Sequence, residues 1–129
     1  MRRSHKVLEY RLVIPGRAKS FRSPSAKQYK HKIRQLADFI FKRPLKWAIE
    51  IKMDYFHNQN RRMDMDNIAK CIMDALSGVA YPDDKVVRLQ KSMSHDLRNH
   101  IQIWDTIDII KPLDKYEEYI FVRIRNIKT

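Results

Sequence analysis

Hydrophobic and polar positions along the chain change period several times, and each change marks an element. Over residues 7–14 the apolar side chains Leu8, Tyr10, Leu12 and Ile14 take alternate positions, the period of a half-buried strand, and Pro15-Gly16 ends it. Residues 17–22 (Arg-Ala-Lys-Ser-Phe-Arg) show no period and read as an exposed basic loop. Ser23 and Pro24 suit the N-cap and first residue of a helix in which Ala26, Tyr29, Ile33, Leu36, Ala37 and Ile40 recur at helical spacing, ending before Pro44. The cleanest strand follows over 45–56, where Leu45, Trp47, Ile49, Ile51, Met53 and Tyr55 alternate with mostly polar partners. A polar loop, His57 to Arg62, leads to a second helix over 66–76, with Ile68, Ile72, Ala75 and Leu76 apolar and Ser77-Gly78 as its stop. Past Tyr81-Pro82-Asp83-Asp84 come a strand at 86–94, a further extended stretch around 101–110 and a closing strand at 119–127. Strands and two helices in mixed order, without repeats or low-complexity tracts, predict an α+β fold: a small mixed or antiparallel sheet with two helices, one domain over residues 1–129.

Composition narrows the class. Hydrophobic residues make up 43% of the 129 and charged residues 33%, enough for one ordered core under a heavily charged surface. Cys71 is the one cysteine, which excludes an intramolecular disulfide framework and a cysteine-based zinc finger and fits a reducing compartment. No apolar run approaches the roughly 20 residues that a spanning helix needs. The basic start, Met1-Arg2-Arg3, is not followed by an apolar signal core, so a cytoplasmic protein with no membrane partner is expected.

The net charge is +12, and it is unevenly spread. Residues 1–62 hold 17 basic and 4 acidic side chains, a net +13, whereas the rest hold 10 and 11, a net −1. Such asymmetry points to a polyanion, most simply nucleic acid, because each neutralised phosphate releases condensed counterions. A merely solvated basic surface gives the same composition. The first helix carries Lys27, Lys30, Lys32 and Arg34 opposite its apolar stripe, a face that can lie on phosphates or simply be solvated.

Five of the 15 acidic residues fall between positions 64 and 84: Asp64, Asp66, Asp74, Asp83 and Asp84. Asp64-Met65-Asp66 sits at the loop-to-helix junction, and Asp83-Asp84 on a turn past the end of that helix. Carboxylates packed together repel and raise each other's pKa unless a cation neutralises them. Hard oxygen donors of this kind suit Mg²⁺ or Mn²⁺. The bland reading is ordinary: Asp caps helices, and Pro-Asp-Asp is turn chemistry. Asp66, Lys70 and Asp74 stand at i, i+4 and i+8, which makes either a surface ion-pair row or an ammonium placed beside a metal-bound phosphate.

The stretch Arg61-Arg62-Met63-Asp64-Met65-Asp66-Asn67-Ile68-Ala69-Lys70-Cys71-Ile72-Met73-Asp74-Ala75-Leu76, followed by Tyr81-Pro82-Asp83-Asp84-Lys85-Val86-Val87, resembles the core of the RusA family of Holliday-junction resolvases. That core reads D-x-D-N-x-x-K-x-x-x-D-A-L, then an aromatic and D-D with a valine following, and every polar position is filled here. The resemblance implies a small homodimeric Mg²⁺-dependent endodeoxyribonuclease (Mn²⁺ substituting) that nicks four-way DNA junctions symmetrically in recombination and repair, with no small-molecule cofactor. It also suggests a phage or prophage origin. Asp64, Asp66 and Asp84 match the family's metal-binding aspartates and Lys70 its catalytic lysine. Asn67, Asp74 and Asp83 match further motif positions, Asp83 being a further expected metal ligand and Asn67 an expected DNA contact. Arg17, Lys19, Arg22, Lys27, Lys30, Arg61 and Arg62 are the basic side chains expected to hold the junction arms. Two departures stand out: Met63 replaces an arginine that often precedes the first aspartate, and His95 to Glu118, with Trp104, reads as an extra hairpin or loop beyond the family pattern.

The remaining chemistry-bearing residues read as ordinary. His5, His31, His57, His95 and His100 show no metalloprotease spacing, and His57 reads as a solvated loop residue. Cys71 reads as a packing residue, and Trp47 and Trp104 as core or interface aromatics. Phe21, between Lys19 and Arg22, is the best aromatic for wedging into a junction. Two other functions compete: a non-catalytic nucleic-acid-binding protein, and a Mg²⁺-dependent nuclease for another branched DNA or an RNA. A pure binder gains nothing from five carboxylates beside its phosphate contacts.

Overall fold

The computed structural model describes residues 9–46, 48–59, 64–99 and 107–127. Its elements are four strands, β1 (Glu9–Pro15), β2 (Ile49–His57), β3 (Val87–Asp96) and β4 (Tyr119–Asn126), and two α-helices, α1 (Ala26–Ile40) and α2 (Met65–Leu76). Short 3₁₀ helices cover Asp84–Val86 and Ile107–Asp114. The strands form one mixed sheet in the order β1-β4-β2-β3. β4 is antiparallel to both of its neighbours, and β2 and β3 are parallel. The expected α+β fold with a small mixed sheet and two helices is what forms.

Strand alternation decides which side each helix covers. Leu12 and Ile14, then Ile49, Ile51, Met53 and Tyr55, then Ile120, Val122 and Ile124 meet Ile33 and Ala37 of α1 and Ile68, Ile72 and Ala75 of α2 in one core. Each fully buried isoleucine there contributes about 1.5–3 kcal/mol relative to an exposed one. On the other face Phe56, Tyr119 and Phe121 pack against Ile109 of the 3₁₀ helix Ile107–Asp114. That face also holds buried charge. Asp54 pairs with His95 at 2.8 Å and with Arg123 at 3.1 Å, and Glu50 pairs with Arg125. A buried carboxylate so satisfied on both oxygens avoids the cost of an unpaired charge.

A parallel pair cannot be closed by a tight turn, so the chain crosses from β2 to β3 through α2. This crossover fixes the acidic residues. Those entering α2 follow the C-terminal end of β2, and those preceding β3 stand near the start of β2, since Val87 pairs with Ile49.

Several boundaries differ from the sequence expectations. α1 begins at Ala26, not Pro24, because Ser23 to Ser25 form a serine turn in which the Ser25 amide donates to Ser23 Oγ (3.3 Å). β2 begins at Ile49 rather than 45, since the Leu45 amide is taken by the Ala80 carbonyl (2.7 Å) outside the ladder. Residues 107–110, expected extended, are 3₁₀-helical, and no hairpin forms over the described part of 95–118. Pro112 has no N–H for a ladder, and burying Ile109 on the second sheet face favours the short helix. The Tyr119 hydroxyl donates to the Ile109 carbonyl (2.7 Å) and locks it there. Trp47, Trp104, His5, His100, Arg61, Arg62, Met63 and residues 101–106 lie outside the described residues. No described helix is long and apolar enough to cross a membrane.

Candidate active site

Asp64 is the N-cap of α2. Its carboxylate accepts from the Asn67 amide (3.3 Å) and from Asn67 Nδ2 (2.6 Å). The capping role expected of an ordinary aspartate is therefore present, alongside any chemistry. Asp66 lies exposed in the first turn, where negative charge also suits the helix dipole. Asp74 lies two turns further on, roughly 12 Å along the axis at 1.5 Å per residue. Asp83 caps the 3₁₀ helix Asp84–Val86, accepting from the Lys85 amide at 2.8 Å. Partial desolvation by its neighbours holds the exposed Asp84 carboxyl above its ordinary range, and the negative charges of Asp74 and then Asp83 add to the shift.

The acidic residues thus fall into two groups, Asp64 and Asp66 at the start of α2, Asp83 and Asp84 beyond its end. Among the described residues no three metal-ligating side chains gather into a cage. Mg²⁺ and Mn²⁺ seldom need one: they bind through one or two carboxylates, with water and substrate phosphate filling the other positions. The donors are hard and exposed, and the repulsion felt by Asp84 is what a cation relieves. The donor set fits a divalent cation on chemical grounds.

Of the two readings left open for Asp66, Lys70 and Asp74, the ion-pair row does not form among the described residues. Asp74 does not pair with Lys70; its Oδ2 takes Lys30 Nζ from α1 at 2.9 Å. Lys70 Nζ instead lies 4.5 Å from the centroid of the Phe21 ring. Phe21 sits 41% exposed on the β1–α1 loop, and its amide donates to the Asn67 carbonyl (3.0 Å). The loop is pinned at two further points, Gly16 N to the Glu118 carbonyl (2.8 Å) and Ala18 N to the Tyr55 hydroxyl (3.2 Å). Tyr55 in turn donates to Glu118 at 2.5 Å, and Gln59 Nε2 donates to both. Gly16 makes the turn into this loop at φ +92°, a backbone position that side chains with a Cβ rarely adopt.

Lys27, Lys30, His31 and Arg34 line a cleft of about 670 Å³ along α1. His31 did not stand out as a contact in the sequence, although its i+4 spacing from Lys27 was there to be read, whereas Arg34 belongs to the basic face already expected on this helix. Arg34 also donates to the Ala75 carbonyl (3.1 Å), and Lys32 is turned to the Pro15 carbonyl (2.6 Å), away from the row. A second cleft, at the C-terminal end of α1, is lined in part by Lys42, Arg43 and Lys46. Arg17 and Arg22 are exposed on the pinned loop, and Lys19 is half-buried.

Two histidines differ from expectation. His57 is not a solvated loop residue: it ends β2 and is 3% exposed, with Nδ1 accepting from the Gln59 amide (3.2 Å). Burial pulls its pKa below the ordinary value. His95 is buried against Asp54 and stacks on Phe56, a partnership across strands that no local spacing announces. Cys71 is fully buried and its thiol pKa is raised by burial, as befits a packing residue rather than a nucleophile.

Lys70, paired with no carboxylate among the described residues, thus stands on α2 between the two acidic groups, beside the basic side chains of α1. A family model described as Endodeoxyribonuclease RusA matches residues 1–104 of the 129. The chain therefore belongs to the RusA endodeoxyribonuclease family, and a nuclease acting on DNA is the class this defines. The match runs past His95 to residue 104, so it takes in the first part of the segment His95 to Glu118 that the sequence placed beyond the family pattern. No curated protein matches the chain.

Proposed function

We propose that this protein is a divalent-metal-dependent endonuclease that resolves four-way DNA junctions by paired nicks, acting as a homodimer in recombination and repair. The observation that carries this reading is Lys70: exposed on α2, paired with no carboxylate among the described residues, and standing between the two acidic groups. Asp64 and Asp66 on one side and Asp83 and Asp84 on the other would hold Mg²⁺, or Mn²⁺ in its place. When bound, such a cation polarises the phosphodiester and lowers the pKa of its water.

The chain's own side chains do the rest. Lys70 offsets charge on the phosphate oxygens as it builds up. Lys27 and His31 along the α1 cleft, with Arg17, Lys19 and Arg22 on the loop, hold the DNA backbone, with Asn67 and, from the sequence alone, Arg61 and Arg62 as further contacts, whereas Lys30 is engaged by Asp74. A homodimer suits the two-fold symmetry of a junction and delivers two nicks.

The test is a nicking assay on a mobile four-way junction beside linear duplex, flap and single-stranded RNA, with Mg²⁺, Mn²⁺ or EDTA and with Asp66→Asn as control. Paired nicks in opposing junction strands, lost with EDTA and in the variant, are expected. Binding without metal-dependent cutting of any substrate would overturn the reading.

A further inference from the structure

Lys70 stands four residues from both Asp66 and Asp74, the spacing at which an ammonium ordinarily settles on a carboxylate. Settled there, its charge would be cancelled before any phosphate arrived. The fold prevents this on the Asp74 side, where Lys30 occupies Oδ2 at 2.9 Å. It also supplies an alternative seat, since Lys70 Nζ lies 4.5 Å and Lys30 Nζ 5.7 Å from the centroid of the Phe21 ring. The ring is not there to fill the core, being 41% exposed on a polar loop. Its place relative to Lys70 is set by the backbone bond from Phe21 N to the Asn67 carbonyl, one turn before Lys70 on the same helix.

We propose that Phe21 is a positioning residue of the cleavage site, whose ring holds the Lys70 ammonium by a cation–π contact and leaves its charge uncancelled. An aromatic face attracts a cation without neutralising it, and at an exposed position it does so weakly enough to release the ammonium to an incoming phosphate oxygen. The proposal rests on the reading of Lys70 as the group that offsets phosphate charge.

Three forms are compared: wild type, Phe21→Leu, which keeps apolar bulk and removes the ring, and Phe21→Tyr, which restores a ring. In metal-free, DNA-free protein with ¹³C-labelled lysine, the Lys70 Hε resonances, assigned with Lys70→Arg, are expected upfield in wild type and Phe21→Tyr. In Phe21→Leu they move to the ordinary lysine position. With Mg²⁺ and junction DNA titrated to saturation, Phe21→Leu is expected to lower kcat about two- to fivefold while KM stays nearly unchanged, and Phe21→Tyr to recover most of it. Unshifted Lys70 resonances in wild type, or a Phe21→Leu protein that cleaves like wild type, overturn the proposal while the nuclease reading stands. A wild-type protein that shows the ring shift but cuts no DNA overturns the nuclease reading, and the positioning role with it.

Discussion

Asp64 carries two roles that one pair of substitutions separates. As N-cap of α2 it accepts from Asn67 N and Asn67 Nδ2, and its charge faces the positive end of the helix. Asp64→Ala removes both effects, about 1 kcal/mol for the cap and about 0.5 for the charge. Asp64→Asn keeps one oxygen for the Asn67 amide and gives up the charge, about 0.5 kcal/mol, together with the exposed bond from Asn67 Nδ2, a donor that then turns to water. Unfolding a chain of 129 residues carries an entropy near 270 cal/mol/K at about 2.1 per residue, so the expected losses in Tm are about 6 °C and about 2 °C. Cleavage tells a different story if Asp64 also serves the chemistry. Both variants should then lose junction cleavage by on the order of a hundredfold or more, since an amide oxygen is a poor substitute for an anionic donor. Thermal melts followed by circular dichroism and single-turnover nicking of the same preparations give both numbers. An Asp64→Asn protein that melts near wild type and cuts at the wild-type rate would refute the chemical role and leave Asp64 as a cap alone.

Three further outcomes are expected. Lys27→Gln and His31→Gln in the α1 cleft should weaken binding to all DNA sequences alike, and the lysine change should flatten the dependence of log K on log salt by about one unit, read by fluorescence anisotropy at several ionic strengths. His57, buried with its pKa held below the ordinary value, disfavours its proton in the folded state, so the unfolded chain binds more protons as pH falls. The stability it supports is complete above about pH 6.5 and declines below it; Tm of wild type should drop between about pH 7.5 and about pH 5.5 by more than that of His57→Asn, and equal drops would remove His57 from the account. If the proposed homodimer shares its sites between subunits, Asp66→Asn and Asp84→Asn, each inactive alone, should regain single-strand nicking when co-refolded, because a mixed dimer would hold one site with both aspartates; no recovery would place both groups within one chain's site.

Local patterns in the chain reached the elements but not their ends. Alternation at Ile49, Ile51, Met53 and Tyr55 and helical spacing at Ile68, Ile72 and Ala75 carry the strand and the helix, because burial on one face imposes those periods. Boundaries depended on partners distant in sequence. Leu45 leaves the strand because Ala80 takes its amide, and residues 107–110 become helical because Phe56, Tyr119 and Phe121 offer Ile109 an apolar floor. The acidic motif was fully legible, since its spacing is local. The seating of Lys70 was not. On α2 alone, Asp74 is its natural partner, and only the packing of α1 brings Lys30 there first. His95 with Asp54 is the same lesson on the opposite face of the sheet, a pair 41 residues apart.

The crossover topology explains why one helix organises the whole site. α2 must span the gap between the end of β2 and the start of β3, and its buried stripe, Ile68, Ile72, Ala75 and Leu76, fixes it to the sheet. What remains faces outward: Asp66, Lys70 and Asp74 on one line, one helical turn apart. Acidic groups placed at the two ends of this span are then held apart by the helix itself, with the lysine between them. α1 packs beside α2 and turns its own basic side chains, Lys27, Lys30 and His31, into the adjoining cleft. Were DNA to lie along that cleft, the Phe21 ring and Lys70 would stand at its α2 end, with Lys70 Nζ 4.5 Å and Lys30 Nζ 5.7 Å from the ring centroid. If binding and chemistry are joined through the contact between α1 and α2, substitutions that loosen the core they share, such as Ile33→Ala, should reduce cleavage more than they reduce DNA affinity.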